Sequence, residues 1–367
     1  TKLADVAAWN IFISWKAFDH IPLVGSISIT DLAAALDAQE SLVARIAAIL
    51  VATGKLNRPL SPSDHIAHSR LSPLYRSTHI VSALATVAAG NGLKPYAHWP
   101  AYFARFGRRE PPGNTHTPFS VAWGHEELAP WEIKALYPEY AAAFTRSMRS
   151  REVVAGGVKI VGEGALYDFG WLGEEPARVR AALDAAGREG EGVAVWVPLV
   201  VDVGGGLGQL LRDMLSEVKG IRPERCVLQD RQEVIDEAIT KGDPVLEGVV
   251  MMEHDFHEEQ PVKGAKIYLL RRILLDYSDE LATGILCRLA EALPADDPNA
   301  RVIIMEPRLL ESPSAQDCVW DLAMLNLGGK LRNEKMFGEI AAAAGLRVVG
   351  FHSREGDITC VVECAKA

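Results

Sequence analysis

The stretch Leu199–Gly208, with the sequence LVVDVGGGLG, decides the fold. It begins as an apolar, β-branched segment and ends with four glycines among its last five residues. A helical pattern, Gln209–Leu215, follows directly. Glycines at a strand-to-helix turn let the backbone approach a ligand closely, because no Cβ stands in the way. The stretch therefore predicts a ligand-binding turn of an α/β protein.

The residues around this turn repeat the same alternation of strand and helix. From Trp196 onward, short β-rich runs alternate with helix-period segments such as Leu281–Leu293 and Glu334–Ala344. The predicted strands are Leu199–Val203, Arg225–Leu228, Gly248–Met252, Ile267–Leu270, Val302–Met305 and Leu346–Phe351. Such alternation predicts a doubly wound, Rossmann-like α/β sheet, with ligands bound at the carboxyl ends of the strands.

The first 150 residues have a different, mainly helical character. Two helices are expected in Ile27–Gly54, the first capped by Thr30 and the second with one apolar stripe of Leu42, Ile46 and Leu50. A short hairpin is expected in Lys55–Leu74, which completes the outline of a winged-helix module. We therefore predict two domains, 1–150 and 151–367. Within the second domain, Gly173–Val195 has the composition of an exposed helix plus linker, and its role is not predicted.

Composition excludes several classes of protein. Hydrophobic residues make up 49% of the 367 residues and charged residues 23%, which is typical of a soluble globular protein and not of a disordered or fibrous one. The net charge of −10, and Arg45 as the one basic residue of Ile27–Gly54, disfavour nucleic acid as a partner. No apolar run reaches the roughly 18 residues of a membrane span, and no signal-peptide pattern is present. A cytoplasmic location is expected. The five cysteines lack metal-type or CxxC spacing, so we expect neither a bound metal nor a disulfide framework.

An acidic residue at the end of the next strand makes the ligand more specific. Asp230 stands 28 positions after Asp202, where a carboxylate can bind the diol of a ribose. A nicotinamide fingerprint would need a third glycine at position 209, which is Gln209. On spacing alone, NAD and S-adenosylmethionine both remain possible.

Several ordered motifs carry a resemblance to a known family. They are DVGGGLG (202–208), LQDRQEVI (228–235), HDFHEEQPVKGAKIYLLRRILLDYSDE (254–280), IIMEPRLL (303–310) and MLNLGGKLRNEKMF (324–337). Together they resemble the small-molecule O-methyltransferases of secondary metabolism. The resemblance implies a class I methyltransferase fold and an N-terminal winged-helix domain through which two copies form a homodimer.

The resemblance also implies a cofactor and the residues that hold it. The cofactor is S-adenosylmethionine, or its product S-adenosylhomocysteine. The implied binding residues are Asp202, Gly204, Gly206, Asp230, Asp255, Phe256 and Arg271, with Asp255 and Phe256 near the adenine.

The catalytic positions depart from the family pattern. The family places a general base, a His, in a stretch that resembles LHDWSD, and here the stretch is LLDYSD with Leu275 at the position of the base. Of the two carboxylates that accompany the base, Glu306 matches the first, whereas Leu331 replaces the second in GGKLRN. A leucine can neither accept a proton nor orient an imidazole.

Three explanations of these leucines are open. His116, His125 or Asp276 has become the base of a true O-methyltransferase; or the chain is a non-catalytic binding protein; or the site catalyses a reaction that needs no base. The third is similar to the methyltransferase-like pericyclases of the leporin type, and we rank it first: a pericyclic cyclisation of a secondary metabolite without methyl transfer. Such a reaction needs a folded near-attack conformer and polar groups aimed at developing charge.

The expected catalytic groups are His116, Asp276, Lys330 and Glu306, with loop anchoring as the alternative role of Lys330. The substrate is expected to be a polyketide- or alkaloid-like small molecule. The residues expected to line its pocket are Phe144, Met148, Leu275, Tyr277, Met324, Leu325 and Leu331.

Overall fold

A computed structural model describes residues 2–154, 159–173 and 197–367. The chain divides into two compact units, the first made of residues 1–108 and 118–157 and the second of residues 109–117 and 158–367. The expected division at residue 150 makes one cut in the chain, whereas here the segment 109–117 also belongs to the second unit. The segment 173–195 lies, apart from Gly173, outside the described residues.

The first unit is helical with one small sheet. Its helices are α1 (Lys2–Ser14), α2 (Ala17–His20), α3 (Ile29–Ala35), α4 (Glu40–Ala52), α5 (Ile80–Ala88), α6 (Lys94–Phe106), α7 (Pro118–Trp123), α8 (Pro130–Ala135) and α9 (Pro138–Val154). A 3-10 turn spans Ser72–Tyr75, and a π-helical turn, Ala89–Leu93, joins α5 to α6. The strands β1 (Ile27–Ser28), β2 (Leu56–Asn57) and β3 (His65–His68) form an antiparallel sheet in the order β1-β3-β2.

Two details of this unit correct the sequence-based expectations. Helix α3 begins at Ile29, and its N-cap is Ser28, whose hydroxyl accepts a hydrogen bond from the backbone N–H of Asp31 at 3.0 Å; Thr30 lies inside the helix. In α4 the buried stripe consists of Val43, Ala47 and Leu50, whereas Leu42 is 41% exposed. Val43 and Ala47 thus replace Leu42 and Ile46 of the predicted stripe, while Leu50 is common to both. This shift by one residue turns Leu42 out of the core.

The second unit is a seven-stranded mixed sheet with helices on both faces. Its strands are β4 (Val200–Val203), β5 (Cys226–Asp230), β6 (Val250–Glu253), β7 (Ile267–Arg271), β8 (Arg301–Pro307), β9 (Leu346–Ser353) and β10 (Thr359–Lys366). Its helices are α10 (Gln209–Glu217), α11 (Gln232–Lys241), α12 (Asp279–Ala292), α13 (Ala315–Leu327) and α14 (Glu334–Ala343). Short 3-10 turns span Pro223–Arg225, Pro244–Leu246 and Leu274–Asp276.

The strand order, β6-β5-β4-β7-β8-β10-β9, places β4 and its glycine turn near the centre of the sheet. The pairs β6-β5, β5-β4, β4-β7 and β7-β8 are parallel, while β10 is antiparallel to both β8 and β9. This is the class I methyltransferase arrangement. The alternation of strand and helix predicted the parallel part, but β10, which follows β9 without a helix, was not predicted.

Alternating side chains explain why the sheet is covered on both faces. Val201 and Val203 belong to one buried cluster, with apolar residues of α12 and α14, whereas Val200 belongs to another, with residues of α10 and α11. Because successive side chains of a strand point to opposite faces, a strand whose residues are all buried, such as β4, must be covered on both faces.

No helix within the described residues combines the length and the hydrophobicity needed to cross a membrane. In the same ranges, no three His, Cys, Asp or Glu side chains are grouped closely enough to bind a metal ion.

Candidate functional site

The glycine turn after β4 is held closely against its neighbours. Gly204 and Gly206 have φ values of +66° and +62°, which L side chains rarely adopt. A Cβ on Gly204 would lie 2.7 Å from Cδ1 of Ile273 and 3.4 Å from the ring of Phe256. The backbone N–H of Gly205 donates to the carbonyl oxygen of Gln229 at 3.1 Å, which ties the turn to β5. The turn thus leaves its backbone bare where a ligand can approach.

Asp202 lies beneath this turn with its charge uncompensated by hydrogen bonds. The side chain is fully buried, and neither carboxylate oxygen has a hydrogen-bond partner in the structure. Burial raises the pKa of Asp202 to about 7, while the positive charge of Arg271 opposes that rise. A buried acceptor without a donor is costly, so this carboxylate is ready for a ligand that brings a donor or a positive charge.

Asp230, at the end of β5, faces the same turn. One carboxylate oxygen accepts the backbone N–H of Gly206 and the other that of Arg231, both at 2.8 Å. Burial raises the pKa of Asp230, and these two hydrogen bonds work against the rise. The carboxylate is therefore held in one orientation, as binding of a ribose diol requires.

Asp255 and Phe256 follow β6 and complete this edge of the sheet. Asp255 is exposed, and its carboxylate accepts the backbone N–H of His257 at 2.9 Å, which shapes the turn. The partly buried ring of Phe256 packs toward Gly204 and lies 5.9 Å from the ring of Tyr277. An apolar ring beside a bare glycine turn suits a flat, aromatic base.

These residues fit S-adenosylmethionine. The unpartnered carboxylate of Asp202 suits a cation, the glycine turn a closely approaching ligand, and the fixed carboxylate of Asp230 a ribose. The structure brings all seven predicted cofactor residues together on the carboxyl edge of β4, β5, β6 and β7. Sequence reasoning missed Ile273, whose contact with Gly204 is set by the fold and leaves no signal in a motif.

The turn after β7, Leu274–Asp276, carries the position expected for the base. Leu274 is fully buried and Leu275 is 4% exposed. The carbonyl oxygen of Leu275 accepts the backbone N–H of Lys330 at 3.0 Å, so Leu331 is brought next to the same turn. Leu331 is also buried. Asp276 is half-buried in the turn, and its negative charge raises the pKa of Glu306.

Glu306 is used to hold this turn. One of its carboxylate oxygens accepts the backbone N–H groups of Ile273 and Leu274, at 2.9 and 2.6 Å. The side chain is 2% exposed, and burial raises its pKa to about 8, against the opposing charge of Arg332. In this geometry Glu306 orients backbone, which differs from the expected role beside a catalytic imidazole.

Arg332 completes the support of the turn and was missed by the sequence reasoning. Its buried guanidinium donates to the carbonyl oxygens of Leu274 and Tyr277, at 2.7 and 2.8 Å, and to the carboxylate of Asp279 at 2.9 Å. Its place in the GGKLRN motif was the available signal. Together, Glu306 and Arg332 fix both the N–H and the C=O groups of one short turn.

Lys330 ties the segment that carries His116 to the second unit. The ammonium of Lys330 pairs with the carboxylates of Glu110, at 2.5 Å, and Asp279, at 3.1 Å. This geometry favours loop anchoring over aiming a proton donor at a substrate. Glu110 lies in the segment 109–117, which also carries His116. His116 has a φ of +52°, and its Nδ1 lies 3.3 Å from Oγ1 of Thr115.

The expected pocket residues fall into both units. Leu275, Tyr277, Met324, Leu325 and Leu331 lie in the second unit. Phe144 and Met148 lie on α9 of the first unit, where the ring of Phe144 is 3.8 Å from the ammonium of Lys134. His125, also in the first unit, shares a hydrogen bond of 3.0 Å with the hydroxyl of Tyr137.

Several known proteins are similar to this chain. Residues 194–347 match the family model of the O-methyltransferase domain. The chain is 41% identical to methyltransferase cfoD of Aspergillus candidus over 100% of its own length and 86% of that protein's. OxaC, solved with sinefungin and meleagrin, has a TM-score of 0.81 at 20% identity, covering 100% of this chain and 86% of OxaC. A structure titled "A Pericyclic Reaction enzyme" has a TM-score of 0.71 at 21% identity, covering 100% and 87%. At these identities the solved structures show the fold.

Proposed function

The chain belongs to the O-methyltransferase family, whose cofactor is S-adenosylmethionine, and within it we propose a methyltransferase whose small-molecule substrate needs no protein base at position 275. The observation that carries the proposal is the buried turn Leu274–Asp276. Leu275 occupies the position of the family's base, and the nearby Glu306 is already bonded to two backbone N–H groups of the turn. A nucleophile that is acidic enough to bind as an anion reacts without such a base.

Each part of the site has a role in this reaction. When bound, the cofactor supplies an electrophilic methyl group on a positively charged sulfur. Asp230 and Phe256 would hold the adenosine, and Asp202 would face the positive charge of the methionine part. The apolar side chains of Leu275 and Leu331 would exclude water from the anion, which strengthens its interactions with the remaining polar groups. In-line positioning then supplies the rest of the rate enhancement.

A specific observation favours a second candidate function, the pericyclic reaction that is ranked first from the sequence. Two leucines replace two catalytic groups while the cofactor residues remain, as expected of a site that binds the cofactor without consuming it. The fold is also similar to that of a pericyclic reaction enzyme. We place methyl transfer first because a relative that is 41% identical over the whole chain is named a methyltransferase.

The first experiment is mass spectrometry of the small molecule that co-purifies with the protein. S-adenosylhomocysteine would support methyl transfer, because a turning-over enzyme retains its product. Intact S-adenosylmethionine would support the pericyclic reaction. A chain that binds neither, also when each is added at millimolar concentration, would contradict both and favour a binding protein.

A second experiment tests the missing base. A series of substituted phenols of increasing acidity is incubated with the protein and S-adenosylmethionine, and methylated product is measured against pH. If the substrate ionises by itself, the midpoint of each pH profile follows the pKa of the phenol. A midpoint that stays constant across the series would identify a protein base, such as His116 or Asp276, instead.

The first unit is the proposed site of assembly. Its helices α3 and α4, followed by the hairpin of β2 and β3, have the order of elements in a winged-helix module. We infer that this unit joins two copies of the chain in a homodimer acting on a polyketide- or alkaloid-like substrate in the cytoplasm. The acidic net charge of −10 argues against a DNA-binding role for the same module.

A further inference from the structure

Two glutamines form a buried pair behind the cofactor residues. Gln229 is the fourth residue of the five-residue strand β5, and Gln260 lies in the connection between β6 and β7. Both are fully buried. The side-chain amide of each donates to the side-chain carbonyl oxygen of the other, and both hydrogen bonds are 2.8 Å long. Two amides without water must satisfy each other, so this pairing fixes their relative position.

Gln229 also connects to the glycine turn. Its backbone carbonyl oxygen accepts the N–H of Gly205 at 3.1 Å. The next residue, Asp230, accepts the N–H of Gly206 on its carboxylate and that of His254 on its backbone carbonyl. Gln229 therefore sits where the glycine turn and the ribose-binding position are joined.

Gln260 connects to the other side of the site. Its side-chain oxygen accepts the backbone N–H of Val262 at 3.1 Å, in addition to the amide of Gln229. Residues 254–266 contain neither a helix nor a strand residue, so the position of Asp255 and Phe256 depends on contacts of this kind. The amide of Gln229 further lies 3.3 Å from the sulfur of Met252 in β6.

We propose that Gln229 and Gln260 are positioning residues that set the distance between Asp230 and the Asp255–Phe256 turn, and thereby the affinity for the adenosine part of the cofactor. Neither glutamine need touch the cofactor, because the pair acts through the backbone on each side of it. The inference rests on the assignment of Asp230 and Phe256 to adenosine, and it is independent of the reaction catalysed.

The test substitutes one amide by its isosteric acid. In Gln260→Glu the ionised carboxylate cannot donate to Gln229, whereas the protonated carboxyl group can. We expect the Kd for S-adenosylmethionine, measured by calorimetry, to rise at least about tenfold over wild type at pH 8. The ratio of the two Kd values should fall toward one as the pH is lowered to 5. Comparing ratios removes the titration of Asp202, which both proteins share.

Controls separate positioning from general damage. Gln232→Glu changes an exposed glutamine three residues from Gln229 and should leave the Kd within about twofold. Adenosine alone should lose the same factor as the whole cofactor in Gln260→Glu. Hydrogen exchange of the unliganded protein should be faster at residues 254–262 in Gln260→Glu than in wild type.

A double variant keeps the proposal testable if Gln260→Glu does not fold. Gln229→Met with Gln260→Met removes all four hydrogen-bonding groups and keeps the volume, so the core stays packed while the directional bonds are lost. We expect it to fold and to bind at least about tenfold more weakly. Wild-type affinity in this folded double variant would overturn the proposal. If the wild type itself does not bind S-adenosylmethionine, the cofactor assignment is overturned together with this proposal. If the wild type binds and the variants bind equally well, only the positioning role is overturned.

Discussion

At the scale of one residue, the buried carboxylate of Asp202 is suited to ligand binding but lowers the stability of the unliganded protein. Its pKa is raised by burial from an ordinary 3.8 to about 7, so the folded protein binds a proton between these values that the unfolded chain releases. The stability of the unliganded protein should therefore fall as the pH rises from about 4 to 7.

Asp202→Asn tests whether this carboxylate lowers stability and strengthens cofactor binding. Above pH 7 the variant has no buried charge, and we expect the Tm of the unliganded protein at pH 8 to rise by about 2 °C or more. Because the carboxylate is also the proposed partner of the cofactor's positive charge, the Kd for S-adenosylmethionine should increase by about tenfold. Thermal unfolding and calorimetry at pH 8 measure both effects. A variant that is less stable and binds as wild type would contradict this role.

A similar prediction can be made for Glu306, which holds the turn with Leu275 at the position of the family's base. One of its oxygens accepts the buried N–H of Leu274 and the partly buried N–H of Ile273, and a buried group costs about 1–3 kcal/mol when left without an acceptor. Glu306→Leu should thus lower the free energy of unfolding by at least about 2 kcal/mol, whereas Glu306→Gln keeps an acceptor oxygen. The pKa near 8 means that wild type should lose stability relative to Glu306→Gln between pH 5 and 8. Urea unfolding at both pH values measures the difference, and a constant difference would be contrary to expectation.

At the scale of an element, the contacts of the segment 109–117 show how it is held to the second unit. It lies between α6 and α7 of the first unit in sequence but belongs to the second unit, where Glu110 pairs with Lys330. Beyond this pair, Gly328 packs against the backbone of Gly113 and the methyl group of Thr117.

Lys330→Met should therefore act locally. Since Glu110 is 63% exposed, the pair contributes less than about 1 kcal/mol to global stability. We expect faster hydrogen exchange in residues 110–117, weaker binding of the natural substrate through His116, and an unchanged Kd for S-adenosylmethionine. Glu110→Gln should reproduce the effect on exchange, while Lys335→Met, a change of an exposed lysine on α14, should not. Unchanged exchange in both Lys330→Met and Glu110→Gln would show that the packing of Gly328 against Gly113 and Thr117 alone holds the segment.

The elements differ in how far the sequence predicts them. The parallel strands and the glycine turn follow from local patterns, because a buried strand is continuously apolar and a close approach requires glycine. β10 pairs with its neighbour in sequence, β9, and with the more distant β8, and only the second pairing depends on a long separation in sequence. The ion pair of Glu110 with Lys330 also joins residues that are far apart in sequence, which no local pattern encodes. The same holds for Glu306 and Arg332. The sequence predicted a catalytic role for Glu306 and no role for Arg332, because their backbone partners are visible only in the structure.

At the scale of the whole molecule, the first unit leaves apolar side chains uncovered. Leu3 and Val6 of α1 are 77% and 36% exposed, and Leu23 and Val24 are 61% and 91% exposed. Exposed apolar residues that are close in sequence are often covered by a partner, and twofold homodimers are the commonest assembly. These residues are therefore the expected contact in the proposed homodimer.

The dimer is tested by mass and by substitution. Static light scattering of the wild type should give about 80 kDa, twice the 39.9 kDa of the chain. Replacing Leu3 and Val6 together by aspartate should yield a 39.9 kDa species, because two charges would be buried without partners in the interface. Leu60→Asp is the matched control, since Leu60 is fully exposed in the same unit and away from α1 in sequence. A wild type that stays monomeric at all concentrations would contradict the dimer. A dimer that persists in the double aspartate variant would instead place the contact elsewhere in the chain.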